Sequence, residues 1–157
     1  MDPLELAVQA ALVGLCAHPQ APNWNGREWT REVLTSIGAV MQGANYVWLT
    51  NWLWDGVAVV RSSSGQLIDI PLVLESEFGG WSAICFDFEK LLAARSSHRV
   101  MVCSANTLPG AQTHLTRLQA IIKAFQFGQS GDRCLLACWY EAPRTAGAFN
   151  IRLHIVP

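Results

Sequence analysis

The run Leu67–Glu77 (LIDIPLVLESE), closed off by Gly65 on one side and Gly79-Gly80 on the other, constrains this chain most. It is too apolar and too β-branched for a solvent-washed loop, and it ends where glycines break it, so it reads as a buried strand. The preceding stretch, Tyr46 to Val60, is rich in aromatic and β-branched residues and reads as one or two further strands. Arg61-Ser-Ser-Ser-Gly65 between them reads as a turn. A hairpin of this kind needs helices on its faces.

The rest of the chain supplies them. Pro3 suits the first turn of a helix running to about Cys16. A Pro/Asn/Gly loop follows, and Asn25 with Glu28 three residues on resembles a capping box that opens a second helix from about Gly26 to Gln42. Helical spacing predicts a third helix over about Ala83–Arg95 and a fourth over Gln112–Phe127, after a Leu108-Pro109-Gly110 loop. Short apolar runs at Arg99–Ser104, Arg133–Tyr140 and Phe149–Val156 read as strands, the last two joined by a Pro/Gly loop. The expected class is α/β with a mixed sheet, in one domain of 157 residues. It has an N-terminal helix (1–22), a core carrying the chemistry (27–104) and a C-terminal helix with two strands (112–157).

Composition narrows the function. Hydrophobic residues make 51% and charged residues 15%, which excludes disorder and permits a well-filled core. Net charge is −1, so an avid grip on long duplex nucleic acid is not expected without a local basic rim, a partner chain or a short substrate. Acidic residues stand where a signal peptide wants basic ones, and the apolar N-terminal stretch is too short to span a bilayer; the expectation is a cytoplasmic protein with no membrane association.

Of 12 acidic residues, eight lie between Glu28 and Glu89. If the turn centres near Ser64 or Gly65, Asp55 faces Val73 or Glu75 across the hairpin, on one side of the sheet. Glu77, two residues beyond Glu75, shares that side. Like charges so placed repel unless a cation lies among them, and a divalent ion with oxygen ligands is the economical answer. Asp87 and Lys90 share a face of the third helix, where Lys90 either turns back to the hairpin or simply pairs with Asp87 in solvent. Asp69 lies roughly 20 Å from Glu75 along the strand and is expected to pair with Arg61.

Trp54-Asp55, Leu74-Glu75-Ser76-Glu77-Phe78-Gly79 and Asp87-Phe88-Glu89-Lys90-Leu91-Leu92 together resemble the PD-(D/E)xK nuclease superfamily. The resemblance implies a restriction-endonuclease-like αβββαβ core over about residues 27–104, with the extra C-terminal helix and strands decorating the sheet. It implies Mg²⁺ or Mn²⁺ on Asp55 and Glu75, with Glu77 as a further ligand and the Ser76 carbonyl as another. Glu77 or Lys90 would position the attacking water, and Glu32 and Asp87 would stand behind the ligands. Two departures accompany it: Glu77 stands where the superfamily has Lys, and no Pro precedes Asp55. The implied function is hydrolysis of nucleic-acid phosphodiester bonds; the alternative is a nuclease-like domain that no longer cuts and serves as an oligomeric binding or regulatory module, with a homodimer in view.

Other constellations carry less. Cys134 and Cys138 lie roughly 13 Å apart along one strand and read as buried reduced thiols. The four His are scattered, with no helical i, i+4 pair, and no phosphate-binding glycine loop follows a strand. Tyr46, Trp48, Trp52 and Trp54 are all even-numbered, so one continuous strand would set them on a single face, as core under a helix or as a stacking platform or interface.

Overall fold

The computed structural model describes residues 2–50, 52–142 and 147–157. The chain opens with α1 (Pro3–Leu15), and α2 (Gly26–Gly43) follows a short 3₁₀ turn. Both helices start on capping boxes: the Asp2 side chain accepts from Leu4 N while Glu5 accepts from Asp2 N, and Asn25 and Glu28 do the same for α2 as expected. Strands β1 (Val47–Thr50), β2 (Gly56–Arg61) and β3 (Leu67–Glu77) come next, then α3 (Trp81–Leu92), β4 (His98–Ala105), α4 (Leu108–Ala124), β5 (Arg133–Tyr140) and β6 (Ala148–Ile155).

The six strands form one mixed sheet in sequence order. β1, β2 and β3 are an antiparallel meander, β3, β4 and β5 run parallel, and β6 returns antiparallel. α3 and α4 are the two crossovers between the parallel strands and cover one face of the sheet, while α1 and α2 cover the other, so those strands are buried on both faces. One apolar layer joins α1 and α2 (Val8, Leu12, Val33, Ile37) to Ala58, Leu72, Leu74 and Val102. The other joins α3 and α4 (Ile84, Phe88, Leu115, Leu118) to Val57, Val73, Met101 and Leu136. From Leu72 onward, odd-numbered residues of β3 therefore face α3 and α4 and even-numbered ones face α1 and α2, whereas Ile70, on the turn side of the bulge, packs on the α3/α4 layer.

Three local expectations are corrected. The segment from Tyr46 to Val60 is two strands separated by bends, so its aromatic residues do not share a face: Tyr46 and Trp48 join the α1/α2 layer, Trp54 joins the α3/α4 layer, and Trp52 is exposed. The Leu108-Pro109-Gly110 segment is the first turn of α4 rather than a loop, because the Thr107 hydroxyl caps Gly110 N and Pro is tolerated in a first turn. Arg61 donates to the Gly65 carbonyl and Asp69 accepts from Ile70 N, so these two satisfy themselves locally and are not paired with each other. The Pro/Gly loop between β5 and β6 lies partly outside the described residues.

Candidate functional site

Hairpin register places the acids. Gly56 pairs with Leu74 and Val57 with Val73. Asp55, one residue before β2, thus stands at the hairpin end occupied by Glu75, and its Oδ2 accepts from Ser76 N at 2.9 Å. Gly56 has its own reason: a methyl group there would run into the Trp48 ring, which lies across both Gly56 and Gly38. That ring wedges β1 and β2 against α2 just behind Asp55.

Glu75 faces the α3/α4 layer with only 1% of its surface exposed. Lys90, in the last turn of α3, places Nζ 2.9 Å from Glu75 Oε1 and 2.8 Å from Asp87 Oδ1. The approach to Glu75 is an ion contact at a poor angle, since Oε1 has no directed hydrogen bond. The Trp54 indole N–H reaches the Lys90 carbonyl at 3.5 Å, tying the loop that carries Asp55 to the end of α3. Burial drives the Glu75 carboxyl up from its ordinary 4.5 to about 7; Lys90 opposes this, and the negative charges of Asp55 and Asp87 reinforce it. Burial works against the charged form of Lys90 too, but contacts with Asp87 and Glu75 outweigh it and hold the ammonium above its usual range.

The structure therefore brings Asp55, Glu75, Asp87 and Lys90 together and leaves other candidates outside. Glu77 is not the third member: its Oε1 turns back to accept from Gly79 N, and it is absent from the charges that bear on Glu75. No three of these acids bring oxygens within 4.8 Å of one another, so the expected three-carboxylate convergence is not assembled. Glu32 sits on α2, across the sheet from Glu75, and pairs with Arg31 at 2.9 Å. The Ser76 carbonyl already accepts from the Thr30 hydroxyl at 3.1 Å. Of the tryptophans, Trp48 is a wedge and Trp54 a strut; Trp52 alone stands open, its ring 6.3 Å from that of Trp54.

Exposed apolar side chains border the site: Trp52, Leu53 and Phe86, whose ring lies 5.8 Å from Lys90 Nζ. A cleft of about 740 Å³ lies beside the end of β3, lined by Arg27, Thr30, Glu77 and Phe78. Another of about 510 Å³ lies by Asp69, Arg99 and Phe127. Neither is lined by Asp55, Glu75 or Lys90.

Sequence reasoning missed one constellation. Cys103 and Cys138 are register partners on neighbouring parallel strands, and His114 of α4 reaches them. Donation of the Cys103 S–H to Cys138 sulfur, together with burial, holds the Cys103 thiol well above its usual range. The sequence carries no signal for it: residue 103 stands opposite 138 through the parallel register of the observed strands. Compared with protein-family models, curated proteins and solved structures, the chain finds no match.

Proposed function

We propose that Asp55, Glu75 and Lys90 form the centre of a Mg²⁺- or Mn²⁺-dependent nuclease with a restriction-endonuclease-like core, acting on nucleic-acid phosphodiester bonds. The observation that carries the reading is a buried carboxylate, Glu75, 2.9 Å from a lysine on the next helix and beside a second carboxylate fixed by a backbone N–H. The order α2-β1-β2-β3-α3-β4 agrees with the αβββαβ arrangement that the sequence resemblance implies. Structural burial alone gives no reason to place two acids and one lysine at this end of an otherwise apolar hairpin.

The residues suit a hard divalent ion. Mg²⁺ takes one or two protein carboxylates and completes its shell with water and substrate oxygens, so Asp55 and Glu75 suffice without Glu77. Glu75 Oε1 is buried and meets the Lys90 ammonium without a directed hydrogen bond, a contact that a divalent ion can replace. Asp55, Glu75 and Asp87 with Lys90 sum to two negative charges when ionised, which matches one such ion.

Asp55 would be held by Ser76 N as a fixed oxygen donor, with no reorganisation needed on binding. Glu75, titrating near neutrality, would release its proton when a cation arrives and keep it otherwise. Lys90 would orient a water or place positive charge beside the phosphate, with Asp87 holding its ammonium in position. A divalent ion bound there supplies a lowered pKa for water and stabilisation of charge on the phosphorus oxygens. Trp52 and Phe86 offer stacking faces for unpaired bases, which suits the chain's lack of basic excess better than a duplex grip.

Cleavage of single-stranded and duplex DNA and RNA, each with Mg²⁺ and with Mn²⁺, tests this. The expected result is metal-dependent cleavage lost in Asp55→Asn and Glu75→Gln and reduced at least tenfold in Lys90→Ala. Metal-dependent activity surviving in both acid variants overturns the site.

One observation favours the second reading, a domain that binds without cutting. Lys90 already satisfies both Glu75 and Asp87, and Trp52, Leu53 and Phe86 leave an apolar rim for a partner or a second copy of the chain. Calorimetry that detects no heat with millimolar Mg²⁺ or Mn²⁺ decides for it. Among the described residues no helix is long and apolar enough to cross a membrane. Five free thiols fit action in a reducing compartment such as the cytoplasm.

A further inference from the structure

Cys103 of β4 and Cys138 of β5 stand side by side in register, on the sheet face covered by α3 and α4. Both are fully buried. His114, two turns into α4, closes over them, and one ligand atom from each of the three lies within 4.8 Å of the other two. Among the described residues no other three cysteine, histidine or acidic side chains converge this closely.

The histidine is not explained by packing alone. Its Nδ1 is buried with no hydrogen-bond partner, a costly state for an imidazole beside apolar neighbours such as Ala111 and Leu115. The Cys138 thiol donates only over a long contact, 3.7 Å, to the Trp139 carbonyl, and its sulfur accepts from Cys103. Trp81 holds the imidazole from outside, ring centroids 5.1 Å apart, and the Arg117 guanidinium stacks on Trp81 at 3.8 Å. Ring orientation is thus fixed from the solvent side.

We propose that Cys103, Cys138 and His114 bind a thiophilic divalent ion, Zn²⁺ above all. Zinc takes sulfur at about 2.3 Å and imidazole nitrogen at about 2.0–2.1 Å, so tetrahedral ligands sit roughly 3.4–3.8 Å from one another. Side-chain rotation of about an ångström closes the three atoms to that spacing. As one Zn²⁺ enters, two thiol protons leave to solvent and two S–Zn bonds form, so the charge of the buried layer is unchanged. Monovalent copper on the same two thiolates would strand a negative charge in the core. Magnesium and calcium want oxygen ligands, which this cluster lacks.

Three protein ligands leave the fourth position for water or another small ligand, and His114, only half-buried, marks the side from which it enters. The ion would clamp β4, β5 and α4 together one strand away from the acids, since Cys103 is also the register partner of Glu77. This site stands independently of the nuclease reading, because it uses none of those residues.

The test uses the full reduced chain, stripped with a chelator and titrated with Zn²⁺ or Co²⁺ alone. One equivalent is expected to bind, with Co²⁺ giving thiolate-to-metal absorption in the near ultraviolet and tetrahedral bands in the visible. His114→Ala, at a half-buried position, removes a direct ligand and so weakens Zn²⁺ at least as much as loss of an outer-shell partner does, by about 100-fold or more. Cys138→Ala abolishes the tetrahedral cobalt spectrum. Zn²⁺ raises the melting temperature of the native chain and not that of His114→Ala. Failure of micromolar protein to take up either metal overturns the site, and so does uptake unchanged by His114→Ala. Should Cys138→Ala not fold, the His114 variant still decides.

Discussion

Replacing Glu75 by Gln tests the electrostatic heart of the site without reference to any substrate. A carboxyl pushed from 4.5 to about 7 costs on the order of 3 kcal/mol to ionise inside the fold. Its folded value is raised, so the native state binds the proton more tightly than the unfolded chain does. The resulting stability is fully present below about pH 4.5, declines as pH rises, and is gone above about pH 7. Gln keeps the shape and carries no charge, so it escapes this decline. It also loses the Lys90 contact, but the value of about 7 already contains the effect of Lys90, which keeps Asp87 at 2.8 Å, so this loss shifts the comparison little between the two pH values. The advantage of Glu75→Gln over the native chain should therefore grow by about 2 kcal/mol between pH 5 and pH 8.5. For a chain of this length that corresponds to a relative gain of roughly 4–8 °C in melting temperature. Urea denaturation of both proteins at the two pH values measures it, and the histidines cancel because both chains share them. Stability curves that run parallel across this range would refute the claim that Glu75 is held protonated near neutrality. A variant more stable at alkaline pH yet inactive would mark an acid kept for function at a cost in stability.

Lys90→Met leaves Glu75 facing Asp55 and Asp87 without a counter-charge; its stability deficit should be larger at pH 8.5 than at pH 5, by the same denaturation measurement. Arg99→Leu should cost about 3–5 kcal/mol in urea, because this buried guanidinium bonds the Leu91 and Ala94 carbonyls at the end of α3 and pairs with Asp132 at 3.2 Å. Gly56→Ala should destabilise by about 1–3 kcal/mol and weaken activity with it, because the new methyl displaces the Trp48 wedge behind Asp55; calorimetric melting and cleavage rate check both.

The hairpin was legible because its information is local. A turn at Ser62–Gly65 and a period of two suffice to set Asp55 near Glu75, and the observed pairs Gly56–Leu74 and Val57–Val73 follow that arithmetic. The bulges beyond Ala58 shift the register only at the turn end, away from the acids. Lys90 was legible for a similar reason, one helix after the strand it serves, and it makes both of the contacts weighed for it, with Glu75 and with Asp87. Glu77 was misread because strand alternation fixes where a side chain leaves the backbone, not where it ends. At the last residue of β3 the free N–H of Gly79 captures the carboxylate. The tryptophans were misread because bends between β1 and β2 reset the alternation that put Trp48 and Trp54 on one face. The Cys103–Cys138–His114 cluster was invisible because its parts meet only through the parallel register of β4 and β5, which no local pattern encodes.

Diffraction from crystals soaked in Mn²⁺, read at the anomalous edge of the metal, tests the proposed divalent-ion centre most directly. An ion bridging oxygens of Asp55 and Glu75, with Lys90 displaced toward Asp87, is the predicted outcome. Crystals saturated with Mn²⁺ that show no metal there, and Lys90 still seated on Glu75, would contradict it.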